Sequence, residues 1–155
     1  MPKKTRIDLV FRLASVGCIV LAGVISCAPA ARIDVSGGWS GTMTYTSGPM
    51  TSLNSAFTMD LFDDEGTLAG SAEFPSGWMG SFEIPLTHGE VHADTIVLEF
   101  AGQNDVVVPS VPVRFTFDGQ VTATSMSGVG MWFVNGTSYT FTWRATLTAP
   151  PAPES

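Results

Sequence analysis

From residue 37 to residue 148 apolar and polar side chains alternate almost one for one, and this period of two constrains the chain more than any other feature. Trp39, Gly41, Met43 and Tyr45 alternate with Ser40, Thr42, Thr44 and Thr46; Phe57, Met59 and Leu61 alternate with Thr58 and Asp60. Leu68, Gly70, Ala72 and Phe74 form a third row, Phe82, Ile84 and Leu86 a fourth, and Ile96, Leu98 and Phe100 a fifth. Val113, Phe115 and Phe117 face away from Arg114 and Thr116, and Tyr139, Phe141, Trp143, Ala145 and Leu147 alternate with Ser138, Thr140, Thr142, Arg144 and Thr146. Strict alternation means strands with one buried and one wet face. No ten-residue stretch has the 3.6 period of an amphipathic helix. Asp63-Asp64-Glu65-Gly66, Asp118-Gly119 and Asn135-Gly136 fall at expected hairpin turns. Eight or nine short antiparallel strands leave two architectures, a β-sandwich or an up-and-down barrel of about eight strands. The barrel is the preferred reading, because closure removes both exposed sheet edges from a chain rich in β-formers.

The first 36 residues have a different character. Lys3, Lys4 and Arg6 precede an apolar run from Ile19 to Ile25 that ends at Ser26-Cys27, the order of an export signal. The uncharged stretch is shorter than the roughly 20 residues a spanning helix needs. Val24-Ile25-Ser26-Cys27 resembles the lipobox of bacterial lipoproteins. That resemblance implies cleavage before Cys27 and a diacylglycerol on its sulfur, so that the acyl chains hold the protein to a membrane. It divides the chain into a cleaved signal (1–26), a lipid-anchored tether (27–36), a β-barrel domain (37–148) and a Pro-rich tail (149–155). Ala28 follows the cysteine. The resemblance therefore implies the outer membrane in a Gram-negative cell and the outer face of the cell membrane otherwise.

Cleavage there leaves three arginines, no lysine and thirteen acids, a formal charge of −10. Nucleic-acid binding is excluded on this ground, since no basic footprint remains to displace counterions. Cys18 departs with the signal and Cys27 is committed to the lipid, so no disulfide forms and stability rests on a core.

Gly37-Gly38-Trp39 opens the first row as G-x-W, and Arg144 lies in the last. This pattern is similar to the calycins, the lipocalins and avidins. The resemblance implies a barrel in which Trp39 has a structural role, with Arg144 packing across its ring.

Candidate sites are few. His88, Glu90 and His92 share one face of an extended strand and could supply three ligands to an open zinc site. Val91 between them favours the core, which turns the three outward, so no metal is expected. Asp63-Asp64-Glu65-Gly66 suits a turn better than calcium, and Asn135-Gly136-Thr137 suits a type I′ turn better than a glycosylation site. The inner row contains Trp39, Met43, Tyr45, Phe57, Met59, Phe82, Phe115, Phe117, Phe141 and Trp143. An eight-stranded barrel is wide enough either to be filled by such rings or to hold one small ligand. If there is a cup, Trp39, Met43, Tyr45, Phe57, Phe82, Phe115, Phe141 and Trp143 line it. Trp132 stands between Met131 and Phe133, so one face of this segment is exposed, and an aromatic edge there would serve as a partner contact.

The leading expectation is a non-enzymatic, membrane-anchored module of the cell envelope that binds a small apolar ligand and needs no cofactor. The alternatives are a structural or protein-interaction lipoprotein with a filled barrel and, least favoured, a metal-dependent enzyme.

Overall fold

The computed structural model describes residues 32–64 and 66–149. Cys27, the signal, the first residues of the tether and the tail beyond Ala149 lie outside the described residues. Eight antiparallel strands close into an up-and-down barrel: β1 (Gly37–Tyr45), β2 (Asn54–Asp64), β3 (Thr67–Pro75), β4 (Ser81–His92), β5 (Thr95–Asn104), β6 (Val111–Val121), β7 (Ser125–Val134) and β8 (Thr137–Ala149). Each strand pairs with its sequence neighbours, and β1 closes on β8 with Trp39 opposite Leu147 and Met43 opposite Trp143.

The inner face is the expected one. Trp39, Met43, Phe57, Met59, Leu61, Phe74, Ile84, Leu98, Phe115, Phe117, Phe141 and Trp143 are all buried. The lumen is filled through most of its height by rings that meet across it. Phe117 lies 5.3 Å from Phe57, 5.3 Å from Phe141 and 5.1 Å from Trp143, the last two edge to face. Phe74 stacks on Phe115 with centroids 3.9 Å apart. Room for these rings comes from glycines in the same inner rows. A Cβ on Gly41 would stand 2.3 Å from the Phe57 ring, and one on Gly130 2.4 Å from Phe141.

Two turns test the turn reading differently. Asn135 (φ 49°) and Gly136 (φ 74°) both take the left-handed conformation that a type I′ hairpin demands, joining β7 to β8 with Val134 opposite Thr137. Asp118-Gly119, expected to turn, instead lies inside β6, where Gly119 faces Gly128. A Cβ on Gly119 would come within 2.2 Å of the Ser127 carbonyl. Glycine at this position permits close approach of β6 and β7, and the chain turns later, at Thr122–Thr124.

Candidate functional site

The two ends of the barrel are built differently. At the end where β1 begins, the joins β2–β3, β4–β5 and β6–β7 are two or three residues long. The segment before β1 folds across this end. Val35 is fully buried, and its carbonyl accepts a hydrogen bond from Trp39 Nε1 at 2.9 Å. Arg32 pairs with Asp63 at 2.8 Å, the Asp63 backbone N–H donates to Ser36 Oγ at 3.0 Å, and Gly66 N–H donates to Asp63 Oδ1 at 3.3 Å. The Asp63 carboxylate is thus held by Arg32 and its own turn. Asp34 is held below the usual carboxylate range by hydrogen bonds from Ser36. This end is a floor.

At the opposite end three of the four joins are longer, from five residues up to the eight between Tyr45 and Asn54, only the β7–β8 hairpin being short, and there the rings stop short of filling the lumen. A cavity of about 580 Å³ opens between them. Met43, Tyr45, Phe74, Phe82, Phe115 and Trp132 form its wall, and Met50, Leu53 and Met79 reach it from the loops. Asn104, the one buried polar residue among those described, braces the rim. Its Nδ2 donates to Ser76 Oγ at 3.3 Å, and its Oδ1 accepts from Val106 N–H at 3.1 Å. The wall also parts here. Pairing of β2 with β3 stops at Thr58 opposite Glu73, so Asn54–Phe57 lack a partner on that side, and Asn54, Ser55 and Ala56 line the cavity together with Pro75 and Ser76.

Several sequence expectations are corrected at this point. Of the residues expected to line a cup, Met43, Tyr45, Phe82 and Phe115 do so. Trp39, Phe57, Phe141 and Trp143 do not. They point inward as expected, but they are covered: Phe57, Phe141 and Trp143 meet Phe117 across the lumen, and Trp39 lies against the buried Val35, to whose carbonyl it donates. Trp132 is not an exposed edge. It faces the interior, its ring stacked at 7° and 5.9 Å on Phe115, its partner in register. The outward apolar residues of β7 are Val129 and Met131, while Phe133 carries the Arg114 guanidinium 4.2 Å above its ring. Arg144 does not pack across Trp39. It projects outward opposite Thr42, on the other face of the sheet, because the alternation that buries Trp143 and Ala145 turns Arg144 to water.

His88, Glu90 and His92 lie together on the outer face. Glu90 is shared between the two imidazoles, at 3.4 Å from His88 Nε2 and 3.0 Å from His92 Nε2, and all three side chains are at least half exposed. Among the described residues no group of three His, Cys, Asp or Glu side chains is arranged to hold a metal ion.

Sequence reasoning missed Phe74, Asn104, Met50 and Leu53 as lining residues. Phe74 was legible as an inward position, but its height beside the cavity was not. The loop residues carried no periodic signal at all. Tyr45, at the cavity wall, has its phenol pushed up to about 12 by burial. The chain matches no protein family, and comparison with characterised proteins and with solved structures likewise finds no match.

Proposed function

We propose that this protein is a non-enzymatic binding module of the cell envelope that holds one small apolar molecule at the mouth of its barrel, anchored through acyl chains on Cys27. The observation that carries the reading is the cavity of about 580 Å³ at the mouth, walled by aromatic rings and thioethers. Its size falls in the range of small-molecule sites, and its lining has their composition, apolar with a few polar groups. Dispersion and burial supply the affinity. The lining contains no carboxylate, imidazole or thiol to carry out acid–base or nucleophilic chemistry. The anchor rests on the lipobox-like Val24-Ile25-Ser26-Cys27. Because β1 rises from the floor toward Tyr45, a tether leading into Arg32 attaches at the end away from the mouth.

A second reading draws on the rim. Leu53, Met79 and Val108 are 56%, 42% and 94% exposed at the mouth end, an apolar edge suited to a protein partner that delivers or receives the bound molecule.

The deciding experiment is saturation with N-phenyl-1-naphthylamine, an apolar fluorescent probe. Wild-type protein should bind one equivalent. Ser55→Trp, which places an indole in the cavity from an inward position beside Met43, should abolish binding while leaving the fold intact by circular dichroism. Unchanged binding in that variant overturns the cavity as the site.

A further inference from the structure

Pro75 marks the place where the barrel wall parts. Pairing of β2 with β3 reaches Thr58 opposite Glu73 and goes no further. The same register carried on would set Ala56 opposite Pro75, which has no N–H to give to a ladder. Ala56 and Pro75 are both exposed on the outer face, yet both line the inner cavity. They also line a second hollow of about 250 Å³, a groove on the outside of the barrel, together with Ser40, Thr58, Glu73 and Ser81. Cavity and groove thus share the two residues at which the sheet is open.

The two hollows differ in chemistry. The cavity wall is made of rings and thioethers and carries no charged side chain. The groove carries hydroxyls and the Glu73 carboxylate. Glu73 accepts from Ser81 Oγ and stands directly opposite Glu83 in the pairing of β3 with β4. Among the described residues neither glutamate forms an ion pair. Like charges set opposite one another in a sheet repel, and here no cation of the protein offsets them.

We propose that one molecule occupies both hollows: a single-chain amphiphile whose alkyl chain lies in the cavity and passes out between Ala56 and Pro75, and whose ammonium head rests on Glu73. This rests on reading the cavity as a binding site and adds the class of its ligand. The chain gains its affinity by burial among the rings. A charged head drawn in after it would lose its hydration without a partner, so the head stays outside. There the groove selects its sign. Glu73 and Glu83 attract an ammonium and repel a carboxylate or phosphate, while the hydroxyl oxygens of Ser40, Thr58 and Ser81 accept from N–H groups.

The test displaces bound N-phenyl-1-naphthylamine from the full-length protein with decylamine, decanol and decanoate, which share one chain and differ in the head. Wild type should respond to decylamine at a concentration at least about 5-fold below that needed for decanoate. Glu73→Gln should weaken decylamine about 3-fold more than decanol, the scale of an exposed ion pair. Asp94→Asn removes the same charge from the β4–β5 turn at the floor and should leave that ratio unchanged. Thr58→Trp fills the groove from outside. It should weaken decylamine and decanol by about 4-fold relative to the probe, the scale of one methylene left unburied. Equal changes for the probe and both alkyl compounds in Thr58→Trp would confine the chain to the cavity and overturn the proposal. So would decanoate displacing the probe as well as decylamine does. A Glu73→Gln variant that keeps its preference for the amine, or loses no more of it than Asp94→Asn, would also overturn it. In each of these cases the cavity would remain a binding site. Failure of wild type to bind the probe at all overturns the binding-module reading, and this inference with it.

Discussion

Floor and mouth are made from the same strands and the same kinds of side chain, yet one is sealed and the other is hollow. At the floor, joins of two or three residues bring strands together, and the Arg32–Asp63 pair pins a segment that buries Val35 under Trp39. At the mouth, three of the four joins are loops of five to eight residues, β2 separates from β3 beyond Thr58, and the wall is braced by the hydrogen bonds of Asn104. The difference extends to single atoms. The floor indole of Trp39 is paired with backbone, whereas that of Trp132 at the mouth has no protein acceptor. A filled end stabilises, since close-packed interiors lose dispersion and burial wherever an atom is missing. A hollow end gives up some of that stabilisation and leaves a cavity.

The largest expected effect lies on the chain that leads into the floor. Under the proposed lipid anchor, Cys27→Ala should release the protein from the membrane fraction, because each buried methylene is worth about 0.8 kcal/mol and the acyl chains would supply the whole anchor. Fractionation with intact-mass measurement checks this, and an unacylated wild-type protein would refute it.

Next comes the contrast between the ends. Trp39→Ala should cost about 3–5 kcal/mol in denaturant unfolding, as for other large-to-small core changes. Ser55→Trp, at the mouth, should change stability by less than about 1 kcal/mol while blocking the cavity. Similar losses for the two would show that the mouth is packed as tightly as the floor.

A smaller effect is expected in base. Tyr45 ionises at about 12 in the folded protein against an ordinary value near 10. Between those values the native state holds the proton that the unfolded chain gives up. The contribution is therefore complete below pH 10 and is lost as pH rises to about 12, on the order of 2 kcal/mol. Ultraviolet titration of Tyr139→Phe isolates Tyr45, and a midpoint near 10 would mean the mouth is wetter than the structure has it.

The smallest effect is Asp63→Asn. Removing the charge partner of the part-exposed Arg32 should cost about 1 kcal/mol in low salt and less in high salt. A loss of probe binding in this variant would break the separation of floor from mouth.

The sequence by itself determined the strands, their inward rows and the Asn135-Gly136 hairpin. These depend on neighbours in the chain: a period of two assigns faces, and two left-handed residues in succession make one kind of turn. β7 was harder to read, because its inner positions Gly128 and Gly130 carry no side chain to mark a face while Val129 and Met131 point outward. Tertiary structure alone decided what depends on neighbours across the lumen. Alternation says that Trp39, Phe57, Phe141 and Trp143 point inward, as Met43, Tyr45, Phe82 and Phe115 do, but not which side chains meet them across the lumen. What covers each ring makes the first four core and the second four a wall. In the same way Gly119 became a close contact with β7 rather than a turn, and Trp132 went inside, because the residues paired with them in register, Gly128 and Phe115, were set by the closing of the barrel. Side-chain direction is a local property of a strand, whereas filling is a property of the space the closed sheet encloses.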